Sequence, residues 1–197
     1  MKVAITGSIA CGKSTVTRYL KKKGYKVIDA DKIGHDLLLD NSVVESLIKV
    51  FGDSILSDNK IDRKKLGNIV FNCEKKLEVL NKIIHPKVRE EITKSFDDFY
   101  KTHAKDDICI LDIALIFEAK MTDLVDKIIV VDVDYNTQLN RLMKRNNISE
   151  CFAKKIIEKQ MSTSEKKKLA DEVIDNNKTF DYTFKQVDKI FKNLRSE

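Results

Sequence analysis

The chain has 197 residues, 42% hydrophobic and 35% charged, with six glycines, one proline and a formal net charge of +6. This composition supplies one sizeable core, and the scarcity of glycine and proline excludes a turn-rich all-β fold. No apolar run reaches the roughly 18 residues of a membrane span, and Cys11, Cys73, Cys109 and Cys151 lack the spacing of a zinc site or disulfide framework, so reduced thiols in a cytoplasmic protein are expected. The positive balance suits nucleic acid, a membrane surface or a phosphorylated small molecule, or only a lysine-rich solvated surface, and charge alone does not choose.

Lys2–Thr6 is a short apolar run ending at Gly7, a first strand that leaves no room before it for a targeting peptide. Residues 13–23 are predicted to be a helix with Val16, Tyr19 and Leu20 on one face, closed by Gly24. Residues 25–30 form a second strand, so the chain opens like a parallel α/β sheet. From residue 31 to 100 the pattern is helical, with Val43, Leu47, Ile48 and Phe51, then Leu77, Leu80, Ile84, Val88, Ile92, Phe96 and Phe99, at helical spacing and a turn region over 52–62. The single proline, Pro86, predicts that one helix ends or kinks and another begins. So long a helical insertion is too much for a plain crossover, and approximately residues 32–106 are read as a substrate-binding lobe. Residues 108–117 and 127–133 read as strands buried on both faces. Helices follow over 135–145 and 149–160, then a capping-box start at Ser162–Glu165, a short strand over 171–175 and a closing amphipathic helix over Phe180–Leu194. The basic stretch at approximately 142–165 reads as a mobile lid within one domain spanning 1–197.

Gly7-Ser8-Ile9-Ala10-Cys11-Gly12-Lys13-Ser14 fits G-x-x-x-x-G-K-[ST], placed between a predicted strand and a predicted helix. Gly7 and Gly12 permit turns costly to other residues. Successive backbone N–H groups then face one concavity and bind phosphate oxygens, helped by the positive end of the helix. The Lys13 ammonium reaches the β- and γ-phosphates, and the Ser14 hydroxyl suits Mg²⁺. Cys11 is either a thiol activated by the loop or a small filler.

Val27-Ile28-Asp29-Ala30-Asp31 ends the second predicted strand. There Asp31 is either a base for an attacking hydroxyl or the N-cap of the next helix. Arg141 and Arg145 lie four apart on one helix face, suited to clamping a triphosphate or to a solvated face.

Together with His85-Pro86-Lys87-Val88-Arg89, Leu111-Asp112-Ile113 through Glu118, Gln138 through Asn146, Gln160-Met161 and Ala170 through Asn177, these motifs resemble the dephospho-coenzyme A kinase family almost end to end. The resemblance implies transfer of the γ-phosphoryl of ATP, with Mg²⁺, to the ribose 3′-hydroxyl of dephospho-coenzyme A. The fold it implies is an α/β three-layer P-loop kinase: a five-stranded parallel sheet, a helical substrate lobe and a lid. It implies catalytic roles for Asp31, Lys13 and Arg141. ATP falls to Gly7, Ala10, Cys11, Gly12, Lys13, Ser14, Thr15, Arg145, Asn176 and Asn177, with the two asparagines near adenine. The coenzyme A portion falls to Asp31, His35, His85, Pro86, Arg89 and Glu118. Ser14 supports Mg²⁺, and Asp112 is either a second carboxylate ordering Mg²⁺ through water or a buried strand-end acid. The implied partners are ATP and dephospho-coenzyme A, with no nucleic acid and no membrane, in a monomer or weak homo-oligomer.

Two departures from the family pattern stand out. Ser8 and Ala10 occupy a loop usually richer in glycine, and Ala114 stands where proline is usual, so a slightly different turn is expected there with Glu118 still reaching the site. The nearest rival is another small-molecule P-loop kinase; the aspartate at the second strand favours a hydroxyl acceptor. A GTPase would want Asn-Lys-x-Asp, and Asn177-Lys178-Thr179-Phe180 fails it. A nucleic-acid-dependent ATPase lacks aromatics interleaved in the basic region.

Overall fold

The computed structural model describes residues 1–196. In chain order it runs β1 (Lys2–Thr6), α1 (Lys13–Lys22), β2 (Lys26–Asp29), α2 (Ala30–Leu37), α3 (Asn41–Phe51), β3 (Leu56–Ser57), β4 (Lys60–Ile61), α4 (Arg63–Val70), α5 (Glu74–Tyr100) and β5 (Cys109–Asp112). There follow β6 (Lys127–Asp132), α6 (Tyr135–Asn146), α7 (Glu150–Glu158), α8 (Thr163–Lys168), β7 (Glu172–Asp175) and α9 (Phe180–Leu194). Residues 1–29 with those from Phe96 onward make one unit, and Ala30–Ser95 make another.

The first unit is built on a parallel five-stranded sheet in the order β2-β5-β1-β6-β7. β1 is central because Val3, Ala4 and Ile5 are apolar on both faces and fully buried. One face presents Val3, Ile5, Ile110, Ile129, Val131 and Ile174 to α1 and α9. α9 meets them with Val187, Ile190, Phe191 and Leu194, a stripe at helical spacing. α8 lies on the opposite face, tied to β6 by Lys167 and Asp132 at 2.8 Å. Ile5 of β1 and Asp29 of β2 both stand in register with Asp112 of β5, so three strands finish together at the carboxyl edge, where α/β sheets bind ligands.

The second unit is helical, with α3 and α4 capped by the carboxylates of Asp40 and Asp62. Inside the region read as a simple turn, Leu56–Ser57 and Lys60–Ile61 pair as a small antiparallel hairpin. Asp58 and Asn59 both take positive φ, at 51° and 59°, the geometry of a two-residue hairpin turn.

Two expectations about element limits are corrected. α5 runs unbroken through Pro86. A proline in a helix costs about 3 kcal/mol, whereas Val88, Ile92, Phe96 and Phe99 beyond it are all buried, each contributing about 1.5–3 kcal/mol. Burial therefore carries the helix past the break. The apolar run 108–117 is not one strand, because β5 stops at Asp112. The Ile113 N–H still donates to the Ile5 carbonyl at 3.1 Å. The chain then turns, burying Ile116 completely and leaving Leu115 42% exposed.

Candidate active site

The loop between β1 and α1 is shaped by glycine at two points. A Cβ on Gly7 would sit 2.6 Å from the Val131 carbonyl oxygen, and one on Gly12, at φ 94°, would run into the Asn176 side-chain amide. Gly7→Ala forces backbone to move in a packed centre and is expected to lower stability by about 2 kcal/mol, read as a shifted urea midpoint; an unchanged midpoint would contradict this account of the loop. α3, α4, α6, α7, α8 and α9 each have a side chain capping the N-terminus, whereas α1 has none and carries no acidic residue in its first turn. Its leading N–H groups and dipole thus suit an external anion.

Lys13 and Ser14 begin this helix, with Ser14 exposed. The Lys13 ammonium forms an ion pair with Asp112 at the end of β5, and Asp112 is only 7% exposed. The pair fixes a cation beside the mouth of the loop. Thr15 donates its backbone N–H to Gly12 at 2.9 Å, closing the first turn.

Cys11 lies inside the loop but is buried, and loss of solvation pushes its thiol up to about 11 despite the nearby Lys13 and Lys166. The filler reading of this residue is the one the structure supports. With its pKa three units above pH 8, only about a thousandth of the thiol is ionised there. Iodoacetamide at pH 8 is expected to modify exposed Cys151 and spare Cys11 in the folded protein. Mass spectrometry showing Cys11 labelled as fast as Cys151 would contradict its burial.

The turn after β5 is held from two sides. The Ala114 carbonyl accepts from Thr6 Oγ1 at 3.0 Å and from Lys166 Nζ at 3.2 Å. Fully buried Lys166 also pairs with Glu118 Oε1 at 2.9 Å, and that oxygen accepts the Met161 N–H at 3.1 Å. Glu118 thereby anchors this turn to the segment leading into α8. Lys166 was not singled out by sequence reasoning; a lone lysine in a run of three carries no local sign that it is the buried one.

α6 and α7 pack around Leu139, Leu142 and Ala153, and Ile9 and Ala10 of the loop join that cluster. Arg141 of α6 donates to the Asn176 carbonyl at 3.0 Å, and its Nη1 lies 3.8 Å from the position of a Gly12 Cβ, which places a guanidinium beside the loop. Arg145, one turn on, is exposed and donates to the Asn146 side chain at 3.0 Å. The asparagines expected near adenine have structural duties. Asn176 is buried, donating to the Cys11 carbonyl at 2.8 Å and accepting from Thr183 Oγ1 at 2.9 Å. Asn177 accepts the Asp134 N–H at 2.9 Å and donates to Asp175 at 2.6 Å. Both buttress the loop and the start of α6.

In the second unit, Asp31 occupies the first turn of α2, two residues beyond the end of β2, and is exposed. It is not the residue before the helix, so the N-cap reading is replaced by a first-turn position. His35 follows on the same face of α2. His85, Pro86 and Arg89 follow one another on α5. Burial lowers the pKa of His85 below its usual value, so the ring is neutral at pH 7.

A cavity of 1190 Å³ opens at the other edge of the sheet, lined by Met1, Lys26, Ile108 and Asp126 among others and by no loop residue. The phosphate loop, Lys13 and Asp112 lie instead at the carboxyl edge.

The sequence matches the dephospho-CoA kinase family over residues 1–181. The chain belongs to that family. The dephospho-CoA kinase of Fusobacterium nucleatum is 46% identical over 195 residues, covering 98% of each chain. That of Carboxydothermus hydrogenoformans is 48% identical over 187 residues, covering 94% of this chain and 90% of the other. The structure of dephospho-CoA kinase from Campylobacter jejuni superposes with a TM-score of 0.75 at 34% identity, covering 100% of this chain and 99% of that one. Against the dephospho-CoA kinase pattern, the departures now have geometry. Ala10 takes φ 62°, the left-handed conformation glycine favours, and Ala114 sits in a turn with all trans peptides, pinned by Thr6 and Lys166.

Proposed function

We propose that this protein transfers the γ-phosphoryl of ATP to the ribose 3′-hydroxyl of dephospho-CoA, releasing ADP and CoA. The observation that carries the reading is the uncapped N-terminus of α1, with Lys13 held by Asp112 at its mouth, in a chain similar to dephospho-CoA kinases along almost its whole length.

The uncapped N–H groups of α1 bind the phosphates, and Lys13 neutralises charge on the β- and γ-oxygens. Arg141 and Arg145 add positive charge as the bond to the leaving ADP stretches. The Asp31 carboxylate takes the proton of the 3′-hydroxyl as its oxygen bonds to the γ-phosphorus and the bridge to the β-phosphate breaks. The second unit serves as the substrate lobe, with His35, neutral His85, Pro86 and Arg89 along the coenzyme A portion.

Among the described residues no group of three or more acidic, His or Cys side chains gathers into a metal cage. The hard oxygen donors of Ser14 and Asp112 nevertheless fit Mg²⁺, which takes few protein ligands and completes its shell with phosphate and water. When bound there it supplies charge neutralisation and orientation of the triphosphate. Asp112 holds Lys13 in the same arrangement. All four cysteines are free thiols, which supports a cytoplasmic setting; no helix among the described residues is long and apolar enough to cross a membrane.

The test is product identification. Incubation with ATP and dephospho-CoA is expected to yield CoA carrying its new phosphate at the ribose 3′ position, and an acceptor lacking that hydroxyl is expected to be inert. Phosphate elsewhere on the acceptor, or none, would refute the assignment.

A further inference from the structure

Two glutamines outside the P-loop motif hold both polar groups of one residue within it. Gln138 Nε2 on α6 donates to the Ile9 carbonyl at 2.9 Å, and Gln160 Oε1, just beyond α7, accepts the Ile9 N–H at 2.8 Å. Gln138 is 3% exposed. The neighbouring Ser8 hydroxyl receives Thr163 Oγ1 at 3.0 Å.

Peptide planarity turns these contacts into an aiming device. In a trans peptide the C=O and N–H point in opposite directions. Fixing the Ile9 carbonyl toward α6 therefore turns the Ala10 N–H away from α6. The preceding peptide is pinned at both ends: its N–H by Gln160, and its carbonyl, on Ser8, by the Cys11 N–H at 3.2 Å. Two consecutive peptides of the loop tip are thus oriented by side chains from the α6–α7 segment. The need is real in this loop, because Ala10 takes a left-handed conformation without being glycine. Gln138 also lies one turn before Arg141, so the helix that carries the phosphate-facing guanidinium holds the loop too.

We infer that Gln138 and Gln160 are positioning residues for the nucleotide cradle, acting through the Ile9 peptides to aim the loop N–H groups at the phosphates. This rests on the reading of the loop as an ATP cradle and is independent of which acceptor is used.

The hydrogen-bond directions give the test. A glutamate at 160 still accepts the Ile9 N–H, whereas a glutamate at 138 sets an acceptor against the Ile9 carbonyl. Each adds one negative charge beside Ile9, but at buried Gln138 that charge also loses solvation, so the methionine variants, which add no charge, are read beside them. ATP affinity is measured by calorimetric titration without acceptor on the wild type and on Gln138→Met, Gln160→Met, Gln138→Glu and Gln160→Glu. Each methionine variant is expected to raise the ATP Kd about tenfold, leaving the KM for dephospho-CoA unchanged. Gln138→Glu is expected to bind ATP about tenfold more weakly than Gln160→Glu. Amide exchange adds a readout that needs no nucleotide: the Ile9 N–H exchanges slowly in the wild type and in Gln160→Glu, and fast in Gln160→Met. Equal ATP affinity for the two glutamate variants, or Ile9 exchange indifferent to Gln160→Met, overturns the inference. A wild type that fails to bind ATP removes the cradle reading, while Ile9 exchange still judges the bracket itself.

Discussion

Lys13→Met is expected to lower kcat/KM for ATP at least about 100-fold and, separately, to destabilise the folded protein by about 3 kcal/mol. The first effect follows from losing the ammonium that Asp112 holds in the first turn of α1. The second follows from Asp112, which is 7% exposed and ion-paired with Lys13. Removing the lysine strands a carboxylate at the buried end of β5, and a lone buried charge is costlier than no charge at all. The two effects separate in the double variant Lys13→Met/Asp112→Asn. Its melting temperature is expected to return most of the way to the wild-type value while its activity stays lost. A Lys13→Met protein as stable as the wild type would show that Asp112 does not depend on this partner.

Asp31→Asn is expected to reduce kcat by about 10²–10⁴-fold, the range of a lost general base, with both KM values little changed. Asparagine has almost the shape of aspartate but takes up no proton at neutral pH. Asp31 is exposed in the first turn of α2, so the stability cost is confined to a dipole contribution of about 0.3–1 kcal/mol. A helix-end role alone would therefore leave kcat intact and move the melting temperature slightly. Steady-state kinetics distinguishes the two, and a kcat within a few-fold of the wild type would remove Asp31 from the chemistry.

What was legible in the sequence is what neighbours along the chain determine. The phosphate loop is eight consecutive residues whose glycines, lysine and serine each have a local task, and it falls between strand and helix as read. α9 spans Phe180–Leu194 as its periodicity predicts, and Ser162 and Glu165 form the capping box their spacing announces. Pro86 misled because the buried face beyond it outweighs a local rule. The hairpin had a sign that went unused, Asp58-Asn59 between two short strands. Asn176 and Glu118 have protein partners that nothing nearby in sequence shows. Asn176 meets Cys11 across 165 positions, and Glu118 meets Lys166 in a helix on the far side of β6 in sequence. Gln138 and Gln160 belong to the same group, since each reaches a loop at the other end of the chain. Long-range side-chain bonds of this kind are properties of the assembled fold.

The measurement that bears most directly on phosphoryl transfer to dephospho-CoA is ADP release from ATP, followed with and without that acceptor. The account predicts ADP formation that depends on dephospho-CoA, matches CoA mole for mole and disappears in Asp31→Asn. A folded, ATP-binding protein that releases ADP at the same slow rate whether or not dephospho-CoA is present would contradict it.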